Sequence, residues 1–519
     1  MAFVWLGPRS LPAFILRSAL RRAFKHDRLL LTATLVLTLC AWLPLFLTPF
    51  LPFCDLPLNT TQAELLWDAL LGRLPAAAHH HVNWAPVPYW TGYLLAMLLG
   101  RLVGPLVAAK LLTALVLVLL PLSIMRLLLA LGRDPRLGLW AFALVWQQNL
   151  YAGWLAFMLA VCLVSFVLAW LIEARTIRDG LRLAPLTALV ALTHVQGTAL
   201  LGLAAIALTL TTGRFLHRFL VHAAAGLGAA LVTAGWLLVP LDSSAPQASG
   251  GSFTFGWHSP AYKLSKFFYY TIDSFTQPDG ERAAAVAFVV MVVGPLALCV
   301  LPNRGVFDRW SPLSLVAVTG GLYSLLWWEI YGAISHWYTY PRYAVVTLLY
   351  LALIPAPRLS GRYALALLPG VLCALWLDYV VVQQFLAYGA QTRPLLDVIA
   401  RVAPRTSVLP IVLDDADQDP FVKVPGPYHQ LFAYVTAVNH GYSPYLWNSR
   451  ANPLYYAGPQ LPAPGWDGAF SMSVYGSKYD YVLVQGFQKG DPVAKAVDAN
   501  GKRPSLLLQS GRWRLYAGK

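Results

Sequence analysis

A chain of 519 residues with 58% hydrophobic and 12% charged residues and a mean hydropathy of +0.58 carries more apolar surface than the cores of soluble domains take up. Composition therefore excludes an ordinary water-soluble protein and makes the bilayer the solvent for most of the chain. The formal net charge of +15 does not point to nucleic acid, because Lys and Arg stand in short clusters between apolar runs and form no basic stripe.

The N-terminal segment carries Arg9, Arg17, Arg21, Arg22, Lys25 and Arg28. The apolar run from Leu29 to about Phe50 follows, long enough to span and without a clear small-residue cleavage site. This reads as an uncleaved signal anchor with residues 1–28 as a cytoplasmic basic tail and the next loop, 52–104, external. In that loop Asn59 to Leu74 has helical periodicity, and Tyr89 to Val103 is apolar again. Counting Tyr89 to Val103 as a span would place Arg126, Arg133 and Arg136 outside. A helix lying in the external interface, with Trp90, Tyr93 and Arg101 at headgroup level, removes that conflict.

The second span is then Pro105 to Ala130. Gly138 to Gln148 runs outward and Trp154 to Ile172 returns, delivering Arg175, Arg178 and Arg182 inside. Ala184 to His194 and Gly197 to Thr212 form a similar pair with a tight external turn, followed by Arg214 and Arg218. The outward members are short, which is tolerable where they pack among other helices. Phe219 to Pro240 goes out to a second external loop, 242–282, with the aromatic cluster Trp257, Tyr262, Phe267, Phe268, Tyr269 and Tyr270. Ala283 to Leu301 returns, Leu313 to Tyr331 goes out, Tyr343 to Ile354 comes back, and Tyr363 to about Phe385 leaves last. The predicted fold class is a polytopic α-helical membrane protein with about eleven transmembrane helices over 29–386, and 387–519 as an external, periplasmic or extracellular, soluble α/β domain. Its strand-like runs are Ser407 to Leu413, Tyr481 to Val484 and Trp513 to Tyr516, with helices at Leu395 to Val402 and His429 to Val438. The expected location is the inner (plasma) membrane, multi-pass, with the N-terminus cytoplasmic.

Cys40, Cys162, Cys299 and Cys373 lie inside apolar runs and only Cys54 lies at a boundary, so neither a disulfide framework nor a metal-thiolate motif is legible. Ionisable groups at span ends are costly and so mark function. Asp55 follows the first span at headgroup depth, where a carboxylate can act as general base, hold a divalent ion, or simply cap the loop helix. Lys110 begins the second span on the same side and suits a lipid phosphate or snorkels. His194, at the apex of the tight turn beside Gln196, can donate to phosphate or move a proton. Glu329, near the end of a span, is a second catalytic candidate. His336, Tyr338 and Arg342 follow as substrate-binding candidates, Arg342 because a guanidinium clamps phosphate in a bidentate manner. His79, His80 and His81 are contiguous and cannot easily all face one metal, and Asn59 to Thr61 forms a weak glycosylation sequon. Asp55, Lys110, His194, Glu329 and Arg342 all map to external span ends, which describes a site for an amphiphile with an anionic head.

The order of first span, Asp55 in PFCDLP, and the stretch YWTGYLLAMLLGRLVGPLVAAKLLTALVLVLLPLSIMRLLLALGR resembles the C-type (GT-C fold) membrane glycosyltransferases, in particular their protein-mannosyl and aminoarabinose-type members. The likeness covers the membrane region at the level of pattern. Leu56 follows Asp55 where the family often has a second acidic residue, which leaves metal dependence open. The resemblance implies an inverting transfer of a sugar from a polyprenyl-phosphate donor to a lipid, glycan or protein acceptor on the external face, with no nucleotide site. It implies Asp55 as catalytic base or metal ligand, Lys110, His194 and Arg342 on the carrier phosphate, and a C-terminal domain recognising the acceptor. No cofactor beyond a divalent ion at Asp55 is implied. The rival readings are a lipid or oligosaccharide transporter or flippase and a non-enzymatic envelope assembly protein.

Overall fold

The computed structural model describes residues 13–75, 78–211, 214–238, 254–272, 274–276, 281, 306–331, 337–354, 365, 367–413, 422–423, 427–446, 452–456, 460–464, 470–486, 491–497, 501 and 503–519. The expected return span Ala283 to Leu301, the start of the last span at Tyr363, and His336 lie outside the described residues.

Helix α1 (Ala13–His26) ends at Asp27, whose carboxylate caps α2 (Arg28–Leu47) by accepting from Leu30 N–H at 3.0 Å and pairs with Arg136 at 2.5 Å. The chain then runs extended to α3 (Leu56–Leu70), β1 (His80–Val82), α4 (Trp90–Val103) and, across Gly104, α5 (Pro105–Ala130). A 3₁₀ helix at Pro135–Leu144 leads to α6 (Gln148–Tyr151), α7 (Leu155–Glu173), α8 (Ile177–Thr193), α9 (Val195–Leu210) and α10 (Phe215–Leu238). There follow β2 (Thr254–Gly256), α11 (Pro260–Ser265), α12 (Val306–Leu325), β3 (Glu329–Tyr331), α13 (Arg342–Leu351), α14 (Leu368–Thr392) and α15 (Leu395–Arg401). The remainder comprises β4 (Val408–Val412), a 3₁₀ turn at Pro427–Gln430, α16 (Ala433–Asn439), β5 (Leu454–Tyr456), β6 (Tyr481–Gln485), α17 (Pro492–Lys495), β7 (Leu506–Ser510) and β8 (Trp513–Ala517).

Among the described residues five helices, α2, α5, α7, α10 and α14, are long and apolar enough to cross a membrane, and α4, α9 and α13 are shorter apolar helices. Helix α7 lies at the centre, with nearly every residue enclosed. Trp42 of α2 donates to the Ala114 carbonyl of α5 at 3.0 Å, and α8 meets α10 so closely at Gly228 that a Cβ there would strike the Ala184 carbonyl oxygen at 1.8 Å. Small residues at such crossings let helix backbones pack without a hydrophobic drive between them.

One sequence expectation changes, and two arginines acquire partners. The segment Gly138 to Gln148, expected as a short outward helix, is not α-helical: its first part belongs to the 3₁₀ helix, buried from Leu137 to Leu144, and Gln147 caps α6. Arg126, inside the expected span Pro105 to Ala130, is a fully buried side chain of α5 paired with Glu173 at the end of α7. Arg101 turns toward α3, pairing with Glu64 and lying 5.7 Å from the Trp67 ring centroid.

The C-terminal segment carries a four-stranded sheet in the order β4-β6-β8-β7, with β4 and β6 parallel and the other pairs antiparallel. Its buried face, with Leu409, Ile411, Val482, Val484 and Tyr516, forms a small core of its own. Strand β7 had no sequence signal because Leu506–Ser510 shows no clean alternation. Two links tie this segment to the 52–104 loop. Strand β1 pairs antiparallel with β5, His80 opposite Tyr456, and α16 packs on α3, with Thr61 Oγ1 donating to the Ala433 carbonyl at 2.7 Å. The Thr61 hydroxyl is wholly buried in that contact, so the Asn59 sequon sits inside a packed helix.

Candidate active site

The site is built where the chain entering α3 meets the turn between α6 and α7. Cys54 N–H donates to the Tyr151 carbonyl at 2.8 Å and Asp55 N–H to the Ala152 carbonyl at 3.1 Å, lacing the two segments together. Gly153, at φ +82°, makes the approach feasible: a Cβ there would lie 2.7 Å from both the Asp55 and Leu56 nitrogens. The next residue, Trp154, donates its indole N–H to Asp55 Oδ2 at 3.0 Å. From the C-terminal segment Gln430 donates its amide N–H to Asp55 Oδ1 at 3.3 Å. Asp55 stands at the N-terminus of α3 without capping it through its side chain, so the capping alternative falls away. Burial pushes its carboxyl up to about 6, against the pull of Arg342 and of the Trp154, Gln430 and Cys54 donors.

Arg342, at the start of α13, supplies the cation. Its guanidinium carbon lies 4.0 Å over the Trp154 ring, Nε donates to the Tyr338 carbonyl at 3.2 Å, and Nη2 donates to the Trp337 carbonyl at 3.4 Å. Asn149 of α6 donates to the Arg342 carbonyl at 3.0 Å, so the same turn that positions Asp55 also positions Arg342. Nη1 stands 3.2 Å from His194 Nε2. His194 is buried at the break between α8 and α9, where its Nδ1 accepts from Gln196 N–H at 3.1 Å and caps α9. The rings of Tyr89 and Phe157 pack edge-on against it at 5.1 and 5.3 Å.

The structure therefore brings Asp55, His194, Arg342 and Tyr338 together. It places two other sequence candidates elsewhere. Lys110 donates to the Thr48 carbonyl at 2.6 Å, at the C-terminal end of α2, where a cation suits the helix dipole. Glu329 lies in the β2–β3 ribbon against Gly256 and within electrostatic reach of His258. A tilted contact of Trp328 with Tyr338, ring centroids 4.2 Å apart, joins that aromatic ribbon to Trp154. The His79 to His81 run is divided by strand alternation, with His80 inward and buried and His81 outward.

Residues outside the sequence expectation complete the site. Trp154, Asn149 and Gly153 lie in an apolar stretch that reads as a span entrance. Tyr89 adopts φ +78°, and Gln430 is 375 positions from its partner. Nothing local in their sequence marks them.

Among the described residues no group of three His, Cys, Asp or Glu could hold a metal ion. The donor set also fits a cation poorly. Both Asp55 oxygens receive N–H groups and the neighbouring charge is a guanidinium, an environment suited to an anion and a nucleophile.

Taken whole, the arrangement is that of a multi-pass helical membrane protein in which helix ends and the C-terminal segment bring a carboxylate, a guanidinium and an imidazole together. Two solved structures share the fold. The crystal structure of ArnT from Cupriavidus metallidurans in the apo state aligns with a TM-score of 0.58 at 12% identity, covering 96% of this chain and 98% of that one. The same protein bound to undecaprenyl phosphate aligns with a TM-score of 0.53 at 13% identity over the same shares. No protein-family model matches the chain, and no curated relative does.

Proposed function

We propose that the chain is a membrane glycosyltransferase that moves a sugar from a polyprenyl-phosphate donor to an acceptor hydroxyl or amine at the external face, with Asp55 as the base. One observation carries this reading: one indole holds a carboxylate tuned close to neutrality at its N–H edge and a guanidinium–imidazole pair over its face. The first is what an acceptor needs to lose a proton, and the second is what a departing phosphate needs.

The proposed step is a direct displacement. Asp55 takes the proton of the acceptor X–H as X bonds to the anomeric carbon, and the bond from that carbon to the phosphate oxygen breaks. The electron pair leaves on the polyprenyl phosphate, with inversion at the sugar. With Nδ1 of His194 accepting from Gln196, the neutral imidazole carries its proton on Nε2, beside Nη1 of Arg342. Two donors 3.2 Å apart are both satisfied by a shared anionic oxygen. The fold likeness to a structure bound to undecaprenyl phosphate supports a lipid of that class.

On this reading the basic N-terminal segment is cytoplasmic, about eleven spans precede residue 387, and the C-terminal sheet roofs the site outside. Tyr338 lines the donor pocket. Lys110 serves the end of the first spanning helix and Glu329 the aromatic ribbon. The reading is tested in native envelope vesicles given a radiolabelled polyprenyl-phosphate-linked sugar. Label leaves the lipid only in vesicles that carry the chain, and equal loss without it would refute the assignment.

A further inference from the structure

Gln430 reaches the site from far away in sequence, and three contacts fix its position. Thr61 Oγ1 of α3 donates to the Ala433 carbonyl at 2.7 Å, Asp68 of α3 pairs with His440 at 2.8 Å, and the rings of Phe50 and Tyr434 lie 5.2 Å apart. These hold the turn Pro427–Gln430 and α16 against α3, the helix that begins immediately after Asp55. The Gln430 side chain is thus placed by a packed interface and not by a free loop.

Its two amide atoms are in different states. Nε2 donates to Asp55 Oδ1 at 3.3 Å, which fixes the orientation of the amide, because a carboxylate accepts and cannot donate. The carbonyl Oε1 is buried and has no hydrogen-bond partner among the described residues, in a side chain only 9% exposed. Leaving a buried acceptor unsatisfied is destabilising, so Oε1 is available to a donor that the described residues do not supply. A glutamine serving packing alone would leave neither end at the carboxylate.

We propose that Gln430 is an acceptor-binding residue: its amide N–H steadies the Asp55 carboxylate, and its carbonyl receives a hydrogen bond from the hydroxyl or amine that Asp55 deprotonates. The inference rests on Asp55 being the base. An acceptor with two N–H or O–H hydrogens, or a diol-bearing sugar with neighbouring hydroxyls, can donate to Asp55 with one and to Gln430 Oε1 with the other. Such a two-point grip sets the nucleophile's lone pair toward the anomeric carbon. It also gives the C-terminal segment a direct part in acceptor choice. On this reading the donor phosphate is held by Arg342 and His194 and not by Gln430.

That separation gives the test its discriminating readout. The groups that face Asp55 and can alter its charge are Arg342 of α13, Tyr93 of α4, with Tyr89 beside Arg342, and the neighbouring Cys54. None is changed by substituting Gln430. In the vesicle assay with radiolabelled polyprenyl-phosphate-linked sugar, Gln430→Leu is expected to lower kcat at saturating donor by about 10- to 100-fold and to leave donor KM as it was, matching the loss of roughly 1.4–2.7 kcal/mol of transition-state stabilisation. The acid limb of the rate profile moves to higher pH, because the charged carboxylate loses a donor. Gln430→Glu, nearly isosteric, keeps a carbonyl-type acceptor but sets a second carboxylate beside the first, so it moves the limb further up than leucine does and checks the proposal should the leucine variant fold poorly. Unchanged kcat and an unmoved limb in both variants, alongside an inactive Asp55→Asn, would overturn the role of Gln430 alone. A rise in donor KM alongside the fall in kcat, with no movement of the limb, would reduce it to a packing residue. An active Asp55→Asn would instead remove the reading on which the inference stands.

Discussion

Trp154 gives its indole N–H to Asp55 at 3.0 Å and, on the same ring, its face to the guanidinium of Arg342 at 4.0 Å. The ring thereby holds the carboxylate and the guanidinium in one site, where no salt bridge joins them among the described residues. A direct ion pair would hold the carboxyl well below its ordinary range and leave a weak base. With the indole between them, burial dominates and the Asp55 carboxyl is pushed up to about 6.

Trp154→Phe retains an aromatic face for Arg342 and removes the N–H donor. Loss of a donor to the charged form raises the Asp55 carboxyl further, so the acid limb of the rate profile should move upward from near pH 6 by a fraction of a unit to about one unit. A pH series of sugar transfer measures it, and a limb that moves downward would contradict the role given to the indole.

The donor phosphate is expected to need both Arg342 and His194. His194→Ala removes one of two converging donors and the cap on α9, and Arg342→Lys loses the planar stack on Trp154. Each should weaken binding of undecaprenyl phosphate about 10-fold or more, the worth of one charge-assisted hydrogen bond. Titration of the purified protein in detergent or nanodiscs, followed by the lipid-induced shift in thermal midpoint, reads this directly. Equal affinity in both variants would remove the pair from the phosphate site.

Gly153→Ala tests how Asp55 is held. The added methyl must occupy a left-handed backbone position, costing roughly 1 kcal/mol, and must displace the Asp55 and Leu56 nitrogens that lie 2.7 Å from it. Transfer activity should fall more than 10-fold, because a shift of about 1 Å in a base is enough for that, with only a modest drop in thermal midpoint. Full activity would show that the turn does not set the base.

Asp55 also links stability to pH. Its folded pKa is raised above the ordinary 3.8, so ionisation opposes folding. The cost is absent below the unfolded pKa, grows as pH rises from about 4 to about 6, and is complete above it. Asp55→Asn should therefore be more thermostable than the parent at pH 8 and lose that advantage near pH 4. A lower thermal midpoint at pH 8 would contradict the burial argument. Stability gained by removing a catalytic charge is a common mark of an active site.

The parts of the protein legible in sequence are those governed by local periodicity and charge. The long apolar helices α2, α5, α7, α10 and α14 show as runs of hydrophobic residues, and the break at His194 shows as a polar pair between two such runs. Strands β4, β6 and β8 show through β-branched and aromatic runs. What could not be read depends on tertiary contact. The segment Pro135–Leu144 is apolar like an α-helical span but is wound as a 3₁₀ helix and enclosed by protein, and periodicity does not distinguish lipid from protein as the apolar surround. Asp55, His194 and Arg342 stand out because charge at a span end is costly. Trp154 and Gln430, which hold and tune Asp55, carry no such cost and come from segments 99 and 375 residues away. Lys110 carried the same signal as Arg342, yet its ammonium meets the end of a helix at Thr48: spacing reports depth in the membrane and not the partner met there.

The most direct measurement is transfer of radiolabelled sugar from a polyprenyl-phosphate donor by Asp55→Asn in envelope vesicles, with undecaprenyl phosphate binding measured on the same preparation. The account predicts that transfer falls by at least 1,000-fold, in the range expected for loss of a general base held in a preorganised site, while the lipid still binds. Transfer at the parental rate with the lipid bound would show that Asp55 is not the base.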